Sequence, residues 1–279
     1  MSKQKFVFIT VLLTYLLIVF GGYVASSESG MGCGPEWPLC NGQIIPGLQG
    51  DTLIEFGHRV IGAILFFMTV IIFIKVRKEN ESMIKVKVVN WMLGLLILQL
   101  IMGAIVVFYH LPSIIITIHL LIAMITMAIL IWFWRSNQPK NKIGSSLIKH
   151  LDLLSVLLFI TIGLGAYIKH QHYGLSCGWL GCDDSVLPAS LPEILQTSHR
   201  ALAFIVTGYI IFLAVQIFKE HNHPLKKRMV VALVAVILQI IAGIATILSF
   251  VSLSMAVLHL AIGTLLFAVI VEARIMSRR

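Results

Sequence analysis

Four histidines of this 279-residue chain lie inside long apolar runs: His58, His119, His199 and His259. An ionisable ring is costly in a hydrocarbon core, and where one occurs it commonly marks a functional group. The spacing is repeated: His58 is followed by His199 after 141 positions and His119 by His259 after 140. Within each pair, both rings fall about five residues into a helix entered from the same face. At 1.5 Å per residue they share a depth of roughly 7–9 Å. Two imidazoles level with one another on neighbouring helices can fill both axial positions of one heme iron. Zinc would ask for a third or fourth ligand, and no third His, Cys or carboxylate repeats at that depth in both halves. The plainer alternative is a hydrogen bond from each ring across a helix interface. Repetition of the whole pattern favours heme.

Three residues before the first histidine of each pair, the halves differ: Glu55 in one, Gln196 in the other. Positions i and i+3 share a helix face, so Glu55 lies about one turn from His58. A carboxyl at an apolar boundary is suited to taking and releasing a proton near neutral pH. An amide of nearly the same shape cannot titrate. The difference suggests that the first half transforms a bound heme and the second holds one. A carboxylate there could also merely complement the helix dipole. Arg59 and Arg200 each follow a ligand candidate. They suit charge-assisted bonds to a heme propionate, and equally snorkelling to lipid headgroups.

The elements that must carry these residues are membrane helices. The chain is 58% hydrophobic and only 12% charged, and a soluble domain of this length needs more charge to cover its surface. Eight apolar runs, at about 6–25, 53–74, 86–108, 114–134, 149–168, 194–218, 229–250 and 254–275, are each long enough to cross a core of about 30 Å. The first is too long for a signal-peptide core and is expected to stay. Taking alternate ends as one side gathers 18 of the 21 lysines and arginines there, which makes both termini cytoplasmic and turns the loops at 26–52 and 169–193 outward. Topology and anionic lipid account for the net charge of +9, with no nucleic-acid partner needed. All four cysteines lie in the outer loops, as Cys33 with Cys40 and Cys177 with Cys182. An oxidising face favours a disulfide in each loop over a shared four-thiolate metal site, whose usual spacing is missing.

The chain also repeats itself. GGYVASSESGMGCGPEWPLC (21–40) resembles GAYIKHQHYGLSCGWLGC (165–182), and EFGHRVIGAILF (55–66) resembles QTSHRALAFIVT (196–207). LQLIMGAIVV (98–107) pairs with LQIIAGIATI (238–247), and TIHLLIAM (117–124) with VLHLAIGT (257–264). Four helices per copy give a parallel repeat about an axis along the membrane normal. The expected fold is an all-α membrane protein of eight transmembrane helices in two pseudo-symmetric four-helix bundles. Residues 1–137 form the substrate-heme and catalytic half, and 138–279 the resident-heme half. Gly94, Gly103, Gly243 and Gly263 leave room for close packing, with or without a porphyrin. His110, His150, His221 and His223 fall at helix ends or turns, and His170 and His172 in the second outer loop.

With these residues in view, the chain resembles the heme A synthase family of integral membrane enzymes. The segments that carry the resemblance are GCGPEWPLCNG (32–42), EFGHR (55–59), SHR (198–200) and the single histidines 119 and 259. EFGHR matches the family's Glu-x-x-His-Arg pattern, and the ordered set covers nearly the whole chain. The resemblance implies oxidation of a heme O methyl group to a formyl group, through a hydroxymethyl intermediate, to give heme A. It implies that His58 and His119 hold substrate heme O, that His199 and His259 ligate a resident heme B, and that Glu55 is the catalytic carboxylate. The cysteine pairs become outer-loop disulfides. The implied partners are a heme O synthase and an electron acceptor, in service of cytochrome oxidase assembly in a bacterial plasma membrane. Two rivals fit the histidines as well: a two-heme electron-transfer cytochrome without substrate chemistry, and a heme carrier. Neither explains the change from Glu55 to Gln196.

The charge bands predict that a reporter active only outside the cytoplasm scores when inserted near positions 45 or 185 and is silent near 80 or 140. The reverse pattern would overturn the orientation.

Overall fold

The computed structural model describes residues 2–79, 81–178, 181–182, 188–220 and 223–278. His221 and Arg279, both read as cytoplasmic, lie outside them. Among the described residues are eight long helices: α1 (Lys3–Ser26), α2 (Gly50–Lys78), α3 (Met83–Phe108), α4 (Ser113–Arg135), α5 (Ser145–His170), α6 (Leu191–Lys219), α7 (Lys226–Leu248) and α8 (Leu253–Ile275). All eight are long and apolar enough to cross a membrane. Large apolar side chains stand on their outer faces, with Phe67 64% and Phe204 71% exposed. On a water-soluble protein such faces would aggregate; in lipid they are the solvated surface. The chain is an all-α, multi-pass membrane protein.

The chain divides into two compact units, Met1–Ser136 and Asn137–Arg279. In the first, α1 packs on α2 and α4, and α3 on α2 and α4. In the second, α5 packs on α6 and α8, and α7 on α6 and α8. Each unit is thus a closed ring of four helices. The likeness extends to the turns. Between α3 and α4, His110 and Leu111 both have positive φ (55° and 62°), and between α7 and α8, Phe250 and Val251 do the same (53° and 58°). A left-handed non-glycine residue costs roughly 1–2 kcal/mol. Each turn is closed by a backbone bond that offsets this, from Leu111 N to Val106 O (2.8 Å) and from Val251 N to Thr246 O (2.7 Å). After α1 and after α5 comes a single 3-10 turn, Ser29–Met31 and Tyr173–Leu175, each preceded by a left-handed residue, Glu28 and His172.

At the opposite end, the basic bands are partly spent on ion pairs. Lys3 Nζ meets Glu79 (2.5 Å) and Glu81 (2.7 Å), and Lys85 meets Glu81 at 2.7 Å. These hydrogen bonds, from Lys3 first and then Lys85, hold Glu81 below the usual carboxylate range. In the second unit Arg228 on α7 pairs with Glu272 on α8, and Arg274 with Asp152 at 2.5 Å. Two residues of the segment before α5, Asn141 and Lys142, form a short parallel pair with Ser277 and Arg278. That stretch therefore ties the start of the second unit to its end.

The Arg228–Glu272 pair is held by two hydrogen bonds between side chains only 23% and 12% exposed. Arg228→Ala or Glu272→Ala should each cost about 1.5–3 kcal/mol. The double variant should lose less than the sum. Thermal unfolding in detergent checks this, and simple additivity would refute the coupling.

Candidate functional site

Each of the four membrane histidines lies against a glycine on a neighbouring helix. A Cβ added at Gly21 of α1 would stand 3.1 Å from Cε1 of His58 on α2, and one at Gly103 of α3 would stand 3.5 Å from Cε1 of His119 on α4. In the second unit, a Cβ added at Gly165 of α5 would stand 2.7 Å from Cε1 of His199 on α6, and one at Gly243 of α7 would stand 3.0 Å from Cε1 of His259 on α8. A bare backbone lets a flat ring lie close on the next helix, where a side chain would push it aside. The glycines thus act as notches that hold the rings.

The rings are also paired. His199 and His259 have centroids 6.5 Å apart, their planes inclined at 71°. A ligating imidazole nitrogen lies about 2 Å from its metal and roughly 1.1 Å from its own ring centre, so two in-line axial imidazoles have centroids about 6.2 Å apart. His119 lies within electrostatic reach of His58. The nitrogens fit the same use. The Nδ1 of His199 donates to the Thr161 carbonyl at 3.1 Å, leaving Nε2 as an open acceptor, the tautomer that binds metals. The Nε2 of His259 accepts from the Gln239 amide at 3.2 Å. The Nδ1 atoms of His58, His119 and His259 are buried with no hydrogen-bond partner among the described residues. No group of three or more His, Cys, Asp or Glu able to hold an ion occurs among those residues. Two facing imidazoles and nothing further suit a group that brings its own equatorial nitrogens, as heme does.

Above each first histidine, a loop is clamped to the helix. Glu55 is 3% exposed, and its Oε2 accepts the backbone N–H of Cys33 at 2.7 Å. Its Oε1 accepts from Arg59, from Nε at 3.1 Å and also from Nη2. Arg59 goes on to donate to the Leu39 carbonyl at 2.9 Å. Thr52 Oγ1 donates to the Gly32 carbonyl at 2.7 Å. Gly32 sits so close that a Cβ would come within 2.3 Å of the Asp51 backbone. The second unit repeats the clamp with an amide. Gln196 Oε1 accepts the Cys177 N–H at 2.6 Å, and its Nε2 donates to the Gly174 carbonyl at 2.6 Å. Arg200 donates not to Gln196 but to the Cys177 carbonyl, at 3.2 Å. Disulfides join Cys33 to Cys40 and Cys177 to Cys182, which leaves no thiolate for a metal.

Some participants escape a reading for chemistry. Gly21 and Gly165 open the first repeated block, but their offset of 144, against 141 for the histidines they hold, hides the partnership. Gln99 and Gln239 serve the sequence only as markers of register. In the structure the Gln239 amide donates to Nε2 of His259, and the Oε1 atoms of both glutamines are buried and unpartnered. Of the histidines read as ordinary, His150 bonds Tyr209, and His223 is 9% exposed, accepting from Leu225 N. His170 is the last residue of α5, not a loop residue.

A sequence model of the cytochrome oxidase assembly protein family COX15-CtaA matches residues 4–271. Among similar proteins is a heme A synthase of Bacillus licheniformis, 28% identical over 278 residues, covering 94% of this chain and 91% of the relative. A heme A synthase of an Exiguobacterium species is 27% identical, covering 82% and 77%. One from Listeria monocytogenes is 26% identical, covering 99% and 97%.

The notch distances rank four substitutions. Gly165→Ala should disturb its histidine most, Gly243→Ala and Gly21→Ala less, and Gly103→Ala least. Heme content per purified chain reads the two C-terminal variants, and heme-binding titration the other two. A Gly165→Ala chain with full heme content would refute the notch.

Proposed function

The chain belongs to the COX15-CtaA family of cytochrome oxidase assembly proteins, and from that footing we propose that it acts as a heme A synthase. It oxidises a methyl group of heme O to a formyl group, by way of a hydroxymethyl stage, to give heme A. The observation that carries the division of labour is the pair of clamps. In both units an oxygen of the residue three before the histidine accepts the N–H of a disulfide cysteine. Gln196 does this as an amide, so fastening the loop does not require a charge. The negative charge of Glu55 is surplus to that task, and placing it beneath a loop, one turn from His58, suits it to handling a proton of the substrate. An electron-transfer cytochrome or a heme carrier leaves that charge only the task of holding Arg59.

In this reading His58 and His119 hold heme O by its iron and so fix the position and plane of the ring beside Glu55. Glu55 stabilises positive charge developing at the methyl carbon or accepts its proton. Arg59, bound to Oε1 of that carboxylate, keeps the acid pointed and compensates its charge in a site that excludes water. His199 and His259 hold a resident heme B, with the Thr161 carbonyl fixing the tautomer of His199. Bound there, heme B supplies a one-electron redox centre. Arg200 uses one donor on Cys177, and the rest of its guanidinium serves a propionate. Arg59 has most of its fork engaged and is the poorer propionate partner. An enzyme that makes heme O supplies the substrate, and a separate acceptor takes the electrons. The cysteine loops lie outside a bacterial plasma membrane, with both termini in the cytoplasm.

Glu55→Gln copies the residue that fills this place in the second unit, so it should fold, keep its heme and make no heme A. Product at the normal yield would sink the catalytic assignment. His199→Ala or His259→Ala should instead abolish the absorption of the resident heme, and an unchanged spectrum would refute those ligands.

A further inference from the structure

The loop that follows the first cysteine pair is more apolar than a water-facing loop should be. No charged residue occurs between Glu36 and Asp51. Within that stretch Ile44 is 82% exposed, Ile45 71%, Leu48 51%, Trp37 40% and Leu39 38%. The exposure belongs to a pinned backbone. The Cys33–Cys40 disulfide closes its base. Cys40 and Gln43 exchange two backbone bonds, of 2.9 and 3.0 Å, and Asn41 N bonds the Cys33 carbonyl at 2.9 Å. Arg59 holds the Leu39 carbonyl from α2. Trp37 and Leu39 thus stand on a pinned backbone, and Ile44 and Ile45 follow directly after its last bond, at Gln43.

What they face is indicated by the helix they lead into. Leu53, Val60, Ile64, Phe67, Ile71 and Ile74 of α2 are all 41–64% exposed. Their spacing of seven, four, three, four and three positions is that of one helix face. This is a lipid-facing stripe, and it begins at Leu53, five positions after the last of the exposed apolar loop residues, Leu48. The matching segment of the second unit follows Cys182 with Asp183 and Asp184, which would resist immersion. We propose that the loop of residues 37–48 is a membrane-inserting element, its isoleucines and Trp37 seated in the leaflet at the cysteine-loop end of the helices. Water would make this patch a liability, whereas the headgroup–acyl boundary rewards aliphatic and tryptophan side chains. The same loop closes over Glu55 through Cys33, so its immersion keeps bulk water from that carboxylate. The insertion holds whichever reaction the protein performs.

The test places the photoreactive residue benzoylphenylalanine at position 44 or 45 of the full chain, with the exposed Glu28 position as reference. The protein is reconstituted in phosphatidylethanolamine–phosphatidylglycerol vesicles, irradiated and analysed by mass. Lipid adducts at 44 and 45 several-fold above those at 28 are expected. Equal yields at all three positions would overturn the proposal, as would adducts mainly to a second copy of the chain. Should a substituted chain fail to fold, a second measurement uses lipids brominated near the headgroup. The fluorescence lost on Trp37→Phe replacement should be quenched by those lipids, and a Trp37 signal insensitive to them would equally overturn it.

Discussion

Burying an imidazole in a helix bundle surrounded by hydrocarbon imposes two demands: room for a flat ring, and a use for nitrogens that water cannot reach. This protein meets the first demand four times with glycine. Gly21, Gly103, Gly165 and Gly243 each remove the side chain that would stand 2.7–3.5 Å from a histidine carbon. The second demand is met only in part. His199 gives one nitrogen to Thr161 and His259 takes a proton donor from Gln239, while three Nδ1 atoms remain buried and unpartnered. Leaving such groups unmatched costs about 1–3 kcal/mol each, which a purely structural role would not repay. Rings held at such a cost are suited to binding a group that enters between them.

Duplication explains why the same solution occurs twice and makes each half a control for the other. The tight turns, the single 3-10 turns, the disulfides and the clamped loops all recur. Against that shared frame the departures stand out. Glu55 becomes Gln196 without loss of the bond to the cysteine N–H. Arg59 reaches the carboxylate, whereas Arg200 reaches only a carbonyl. The apolar loop of the first unit has an acidic counterpart in the second. Charge has been kept in one half and removed from the other at a position where packing is satisfied either way.

Much of this was legible in the residues. Eight runs of aliphatic side chains announce their helices because lipid rewards little else; seven of the eight predicted runs fall within the observed helices, and only the seventh overshoots, ending at 250 where α7 stops at Leu248. The histidines were visible because a polar residue in an apolar run is conspicuous. The notches were not, since a glycine on one helix says nothing about which ring will meet it, and Gly21 and Gly165 are separated from their rings by loops of different length. Gln99 and Gln239 were likewise mute, because their value depends on which atom they face. The pairing of Arg59 with Glu55 follows from i, i+4 spacing on one helix and could have been read, but proximity to a porphyrin offered the arginine a competing partner.

The claim at the centre of this account is that the first half changes its heme and does not merely hold it. The direct measurement is mass analysis of hemes extracted from cells that make heme O, with and without this chain, in the presence of an electron acceptor. The account predicts a new heme whose mass differs from heme O by the conversion of CH3 to CHO. Unaltered heme O, recovered alongside folded protein carrying its resident heme, would contradict it.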